Sequence, residues 1–174
     1  MYNFLKIIWI FFLGFFCLFT STIYANEKIK IGLLVPVTGD NKELGQQIVK
    51  STRIALKDIG SDEIEIYLKD TNSNPNKTIE SAIELNKMGI KIVIGPVFNK
   101  NLVYLEEVED ITFLSLTNRT IGLPKNVISA GINATSQLNS IKKFIETSKI
   151  KKTIFLTPKV DYESEIKKAI NQSK

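Results

Sequence analysis

Cysteine and histidine are almost absent from this chain, which contains one cysteine and no histidine. The single cysteine, Cys17, lies in an N-terminal apolar segment, so the chain beyond Ala25 has neither residue type. This composition excludes disulfides, a cysteine nucleophile, thiolate or imidazole metal ligands and serine–histidine hydrolysis. The remaining chemistry belongs to carboxylates, hydroxyls, amides, lysine and tyrosine.

Glycine-rich phosphate motifs are also missing. A dinucleotide site needs G-x-G-x-x-G after the first strand, whereas Val35-Pro-Val-Thr-Gly39 has one glycine and a proline. The phosphate loop G-x-x-x-x-G-K-[ST] does not occur. Asp70 could act as a general base, but the favoured interpretation is a polar residue that caps a turn. We therefore expect no cofactor, no metal and no enzymatic activity.

Charge of one sign is not concentrated anywhere in the chain. The 23 basic and 18 acidic residues give a net charge of +5, and only Lys6 among them precedes Asn26. Lysine pairs such as Lys142-Lys143 and Lys151-Lys152 are short and interleaved with acids. Because none reaches the length of an interaction tail, we expect solvated surface charges and no nucleic-acid partner.

The N-terminus has the three parts of a secretory leader. Lys6 supplies the charge of a short basic start, Ile7 to Phe19 form an apolar run, and a more polar stretch ends at Ala25. This pattern predicts a signal peptide over residues 1–25. The alternative is an uncleaved membrane anchor, since Ile7 to Ala25 approaches the length of a bilayer span. A lipid anchor at Cys17 is disfavoured, because bulky Phe15-Phe16 precede it.

The rest of the chain alternates strand and helix patterns. Strands are predicted at Ile29–Val35, Ile64–Leu68, Ile90–Ile94, Ile111–Leu116, Val127–Ile132 and Thr153–Leu156. Helices are predicted at Asp40–Gly60, Asn74–Gly89, Asn101–Glu109, Asn133–Ser148 and Asp161–Asn171. Asp40 and Glu43 have the spacing of a capping box, and Asn74-Pro75 is typical of an N-cap followed by proline. The alternation predicts an α/β fold with a parallel sheet and helices on both faces. The mixed second strand is expected nearer an edge.

Polar side chains follow several of these strands. In open parallel sheets, ligands bind beyond the carboxyl ends of the strands. Hydroxyls and amides occur there at Thr38, Asn99, Ser115, Thr117 and Asn118. These residue types are also common in turns, which is the alternative interpretation. Tyr162 is either a packing residue at a helix start or a stacking residue at the site.

A series of segments resembles a known family. The segments that match this family in order and spacing are Ile31–Gly39, Leu44-Gly45, Asp70, Ile92–Pro96, Leu114–Thr117, Leu156–Pro158 and Asp161-Tyr162. Together they resemble the type I periplasmic binding proteins of the leucine/isoleucine/valine-binding group. Within that group, the chain most resembles the penicillin-binding-protein activator branch, and this likeness lies in Thr117–Arg119, Val127–Gly131 and Leu156–Pro158.

The resemblance implies two α/β lobes with a ligand held between them. Residues 26–132 correspond to the first lobe and residues 133–174 to an incomplete second lobe, so the chain resembles a truncated member. Amino-acid binders of the group hold their ligand at positions matching Asn99, Ser115 and Thr117, and with a tyrosine matching Tyr162. Two departures are visible: Asn99 replaces a usual serine, and Glu163 replaces a usual glycine.

Three functional hypotheses follow from the resemblance. The first is an extracytoplasmic, periplasmic domain that binds an amino-acid-like solute for an ABC-type importer and its membrane permease. The second is an interaction domain that binds a cell-wall synthase and has no small ligand. The third is a ligand-sensing ectodomain retained at the membrane by an uncleaved Ile7–Ala25 segment.

Overall fold

The computed structural model describes residues 28–156 and 162–172. The strands are β1 (Ile29–Val35), β2 (Ile64–Asp70), β3 (Ile92–Ile94), β4 (Thr112–Ser115) and β5 (Val127–Ser129). The helices are α1 (Lys42–Ile59), α2 (Pro75–Lys87), α3 (Ala134–Thr147) and α4 (Glu163–Gln172). The predicted leader and the predicted Thr157-Pro158 turn lie outside the described residues. Within them, no helix combines the length and apolar character needed to cross a membrane.

The five strands form one parallel sheet in the order β2-β1-β3-β4-β5. The chain first moves outward from β1 to β2 and then returns past β1 to β3. Because such crossovers are right-handed, the helices α1 and α2 lie on opposite faces of the sheet. The predicted α/β class and the edge position of β2 are both confirmed.

One face of the sheet carries the main hydrophobic core. The core residues on this face come from the sheet, from α2 and from the connection between β3 and β4: Leu34, Ala82, Leu85, Ile90, Val93, Leu102, Leu105, Val108, Ile111, Phe113 and Val127. Gly32 permits close packing here, since a Cβ on it would lie 2.8 Å from the Val93 side chain and 2.9 Å from Leu85. The absence of a side chain at Gly32 therefore brings α2 down onto the sheet.

The opposite face is only partly covered. Leu33 pairs in register with Leu68 and Ile94, so these residues share this face, and α1 contributes Val49 beside Leu68. Further along the same face, Ile92 is 42% exposed and Ile128 is 55% exposed. Parallel sheets are normally covered on both faces. The described residues thus complete one layer over the sheet and leave part of the other open.

The predicted helix over Asn101–Glu109 is wrong. The segment instead forms two 3₁₀ turns, Asn99–Leu102 and Leu105–Glu107, and Tyr104 between them is left-handed with φ of 69°. Leu102, Leu105 and Val108 are all buried. They recur every three residues, which is the period of a 3₁₀ helix and not that of an α-helix. Core packing therefore sets the local geometry here.

The predicted strand Thr153–Leu156 is absent. Residues 151–156 have no regular structure, and Ile154 and Leu156 are 86% and 92% exposed. A strand needs a hydrogen-bonded neighbour, and the described residues place none beside this segment. The apolar run alone indicated a strand, but no partner strand is available to it.

Three of the helix caps lie at residues predicted from the sequence, and a fourth does not. Gly60 is the left-handed C-cap of α1, and the Asn74 side chain accepts a hydrogen bond from the Lys77 amide at the start of α2. Asn133 caps α3 in the same way through the Ser136 amide. At α1, however, the N-cap is Asn41 and not Asp40, and it makes no capping bond. The capping-box prediction is therefore wrong, and the Asn41 side chain donates to Ser73 Oγ in the loop after β2.

Replacing Gly45 with alanine tests the packing of α1 on the first loop. Helix propensity alone favours alanine by about 1 kcal/mol. A Cβ on Gly45 would lie 1.8 Å from the Pro36 carbonyl oxygen, and such overpacking costs about 1–3 kcal/mol. We expect Gly45→Ala to lower the free energy of unfolding in urea, whereas the control Ser51→Ala, exposed on the same helix, leaves it unchanged or slightly raised. Stabilisation by Gly45→Ala would contradict this packing.

Candidate functional site

The candidate site lies along the edge where the parallel strands end. β1 leads outward to β2, whereas β3 leads to β4 on the other side, so the chain reverses direction between β1 and β3. A crevice forms at such a reversal, between the loops that follow the two strands. Here these loops are residues 36–41 and 95–98.

Asp70, at the end of β2, organises one side of this edge. Its Oδ1 accepts hydrogen bonds from the backbone amides of Val37 at 2.9 Å, Thr38 at 3.3 Å and Asn72 at 2.9 Å. Its Oδ2 accepts from the Thr38 hydroxyl at 2.5 Å and from Lys77 Nζ at 2.6 Å. We call these five residues the Asp70 cluster. The carboxylate ties the loops after β1 and β2 to the start of α2.

The electrostatics of the cluster favour the ionised carboxylate. Burial acts to raise the pKa of Asp70, but the hydrogen bonds from Lys77, Thr38, Asn72 and Val37 outweigh it and hold the pKa far below the usual aspartate range. A carboxylate held ionised by its donors is a poor proton acceptor at neutral pH. The interpretation of Asp70 as a structural residue therefore fits its environment better than a general base does.

Two further contacts fix the same pair of loops. The Asn41 side chain donates to Ser73 Oγ at 3.0 Å. A Cβ on Gly39, whose φ is +77°, would lie 2.1 Å from Asn72 Oδ1. Asn72 and Ser73 are themselves left-handed, with φ of 46° and 53°. The close approach requires glycine at position 39, and together these contacts hold the loops in one arrangement.

The ends of β3 and β4 are joined through buried hydroxyls. The Gly95–Pro96 peptide is cis. Ser115 Oγ donates to the Pro96 carbonyl at 2.8 Å and accepts from the Thr117 amide at 3.3 Å. Ser115 is fully buried and Thr117 is 3% exposed. The Thr117 hydroxyl in turn accepts from the Arg119 amide, so both hydroxyls shape the loop from within.

The remaining predicted site residues are accessible. Thr38, Asn99 and Asn118 are exposed, and Tyr162 is half-buried. The Tyr162 hydroxyl donates to the Asn118 carbonyl at 3.2 Å, which brings these two residues together. Thr38 belongs to the Asp70 cluster, and Asn99 begins the first 3₁₀ turn after β3. Direct ligand contact by any of the six residues stays a prediction.

Sequence reasoning missed Glu165. This residue is 4% exposed, and its carboxylate accepts hydrogen bonds from Thr120 and Ile121 in the loop after β4. In the sequence it is one of two acids in the first turn of a short charged helix, where acids are common. Nothing in the local pattern distinguishes it from Glu163, which pairs with Lys167 on the same helix.

Two surface cavities are lined by residues other than the six predicted site residues. One of about 460 Å³ is lined by Glu106, Glu109, Lys125 and Asn126, next to the amino ends of β4 and β5. Another of about 350 Å³ lies between α1 and β2, with Val37, Arg53 and Leu68 among its lining residues. No cluster of potential metal ligands occurs within residues 28–156 and 162–172. The hydroxyls and amides predicted to contact a ligand lie instead at the carboxyl ends of the strands and in the turns that follow them.

The chain matches the family model described as periplasmic binding protein over residues 28–173. It therefore belongs to the periplasmic binding protein family. This assignment agrees with the parallel sheet, its strand order and the polar loops at its carboxyl edge.

Three relatives illustrate the range within this similarity. The Leu/Ile/Val-binding protein homolog 1 of Brucella abortus is 34% identical over 77 residues, which cover 41% of this chain and 21% of that protein. The LpoA C-domain of Haemophilus influenzae, described as a regulator of PBP1A, superposes with a TM-score of 0.65 at 23% identity, covering 83% of this chain and 45% of that one. The leucine-binding protein LivK of Thermotoga maritima gives a TM-score of 0.56 at 19% identity, covering 83% and 45%.

This chain spans less than half of each of these relatives. The match covers about a fifth of the curated Brucella protein and 45% of each of the two solved chains. At these identities the two solved structures bear on the fold alone. The structural correspondence extends over most of the present chain.

Replacing Asp70 with asparagine tests the cluster at the edge. At pH 7 we expect Asp70→Asn to lower the free energy of unfolding by about 1–3 kcal/mol, because one oxygen and its charge are lost from several hydrogen bonds. The folded-state pKa is lowered, so the contribution is present above the ordinary aspartate pKa and disappears as the pH falls through the lowered value.

Urea unfolding at several pH values measures this effect. The difference between wild type and Asp70→Asn should be constant near neutrality and shrink below about pH 4. Asp58→Asn, an exposed position on α1, is the matched control and should not change stability by more than about 0.5 kcal/mol. A difference between wild type and Asp70→Asn that persists unchanged at low pH would argue against the cluster.

Proposed function

We propose that this chain is part of an extracytoplasmic, non-catalytic solute-binding domain that holds an amino-acid-like molecule at the carboxyl edge of the sheet. The observation that carries the proposal is the carboxyl edge of the sheet. The chain reverses there between β1 and β3, polar loops follow β1 and β4, and Asn99 begins the turn after β3. Such crevices are the usual ligand sites of open α/β sheets.

The proposed ligand contacts come from the accessible groups of that edge. Thr38, Asn99, Asn118 and Tyr162 offer hydroxyls and amides that can hydrogen-bond the carboxylate and ammonium of an amino acid. Ser115 and Thr117 support them from below, since their hydroxyls hold the loop after β4 in shape. In this proposal four exposed or half-buried residues contact the ligand, and two buried residues hold the loop beneath them.

We assign residues 26–132 to a first lobe and residues 133–174 to the beginning of a second. The helices α3 and α4 pack against each other through Ala134, Leu138 and Ala169, apart from the main core. This separate small core supports the assignment. The mechanism is closure of the second lobe over the edge of the first, which removes the ligand from water.

The proposed setting is the periplasm, with residues 1–25 removed on export. In that setting the loaded domain delivers its solute to the membrane permease of an ABC-type importer. The support is the family and the Brucella relative, whose name refers to leucine, isoleucine and valine. A variant of this setting, in which residues 7–25 stay as an anchor, predicts a membrane-bound protein after fractionation of the envelope.

Titration with amino acids tests the solute-binding proposal. Heat of binding or thermal stabilisation is expected for at least one member of a panel that includes the branched-chain amino acids. Asn99→Ala should weaken that binding about tenfold, since a hydrogen bond to a charged ligand group is lost. Asn139→Ala, exposed on α3, is the matched control and should bind as wild type does. No binding across the panel, by either method, would count against the proposal.

A second candidate is a domain that binds a cell-wall synthase and has no small ligand. It is favoured by the LpoA C-domain, a regulator of PBP1A by description, whose TM-score of 0.65 exceeds the 0.56 of the leucine-binding protein. Direct binding to a purified class A synthase, undiminished by Asn99→Ala, would support it. If the protein binds an amino acid and does not bind the synthase, the result decides for the first candidate.

A further inference from the structure

The helix α4 contacts the loop after β4 through a buried carboxylate. Glu165 Oε1 accepts hydrogen bonds from the Thr120 amide at 2.8 Å and the Ile121 amide at 2.7 Å, and Oε2 accepts from the Thr120 hydroxyl at 2.6 Å. These partners lie 44 and 45 residues apart in the sequence. The bonds therefore join two parts of the chain that no local structure would hold together.

The environment of Glu165 keeps it in the accepting form. Burial acts to raise the pKa of its carboxyl, but the hydrogen bonds from Thr120 and Ile121 prevail and lower the pKa below the usual glutamate value. Glu165 is thus an anion at neutral pH, and hydrogen bonds to a charged acceptor are stronger than neutral ones. Both of its oxygens are used by protein donors.

A second bond and a small core extend the contact. Tyr162 donates to the Asn118 carbonyl, and burial raises the pKa of its phenol, so the hydroxyl stays a donor. Tyr162, Ile166 and Ile170 also pack against the core of Ala134, Leu138 and Ala169. The helices α3 and α4 thereby form one unit, and Glu165 and Tyr162 connect that unit to the loop Thr117–Ile121.

We propose that Glu165 is a positioning residue that fixes the α3–α4 unit against the loop Thr117–Ile121. Through this contact it sets Tyr162 beside Asn118, and both are candidate ligand contacts. A role of this contact in ligand binding rests on the proposed function, whereas the hydrogen bonds of Glu165 do not. Every donor and acceptor in this contact belongs to the protein, so the contact can be tested without a ligand.

Hydrogen exchange of individual backbone amides, followed by NMR on the whole chain without added ligand, tests the proposal. The amides of Thr120 and Ile121 should be protected in wild type and exchange about ten- to a hundredfold faster in Glu165→Ala. Glu165→Gln, which keeps one acceptor oxygen but no charge, should be intermediate. The amides of Val93 and Phe113, in the sheet, should be unchanged in both variants.

Glu163→Gln is the matched control. Glu163 precedes Glu165 by two residues on the same helix, and it pairs with Lys167 at 2.7 Å. A residue that only stabilised α4 as a helix would affect the α4 amides without changing those of Thr120 and Ile121. Unchanged protection of these two amides in Glu165→Ala would overturn the proposal, as would an equal loss of protection in Glu163→Gln.

Wild-type protein alone provides a second readout if a variant fails to fold. Because the folded-state pKa of Glu165 is lowered, its bonds are complete above the ordinary glutamate pKa and are lost as the pH falls through the lowered value. The protection factors of Thr120 and Ile121 should therefore fall in acid before those of Val93 and Phe113. Protection factors that fall together would contradict a local role.

Neither readout needs a ligand, so an absence of amino-acid binding would refute the proposed function and leave this result standing.

Discussion

Parallel strands cannot be joined by tight turns, and the rest of this structure depends on that constraint. Each strand must be followed by a crossover that returns the chain to the same starting edge. The loops after β1, β2, β3 and β4 consequently all begin at the opposite, carboxyl edge. Residues as distant in sequence as Thr38 and Asn118 face one region for this reason. A site for a small molecule needs such convergence of polar groups, and here it follows from topology.

Two carboxylates, the half-buried Asp70 and the buried Glu165, give this edge its definite shape. Asp70 gathers the loops after β1 and β2, and Glu165 joins the loop after β4 to α4. Each accepts several donors, most of them backbone amides, and in each the hydrogen bonds offset the cost of burying a charge. Loops rich in hydroxyls and amides would otherwise have many conformations of similar energy. A carboxylate with several donors selects one of them.

The two faces of the sheet differ in how completely these residues cover them. The α2 face has a continuous core, whereas Ile92 and Ile128 remain accessible on the α1 face. The solved relatives compared here are more than twice as long as the portion that this chain matches. An element that covered Ile92 and Ile128 would complete the second layer over the sheet.

Local pattern was sufficient to predict the α/β class, the bounds of β1, the caps at Gly60 and Asn74 and the edge position of β2. Each of these depends on local periodicity or on one residue's backbone preference. Local pattern also directed attention to the carboxyl edge. Long-range packing makes Leu102, Leu105 and Val108 part of a segment with two 3₁₀ turns, buries Ser115 and Thr117, and distinguishes Glu165 from Glu163. These outcomes depend on partners many residues away, and a linear pattern carries no information about which distant donor a side chain meets.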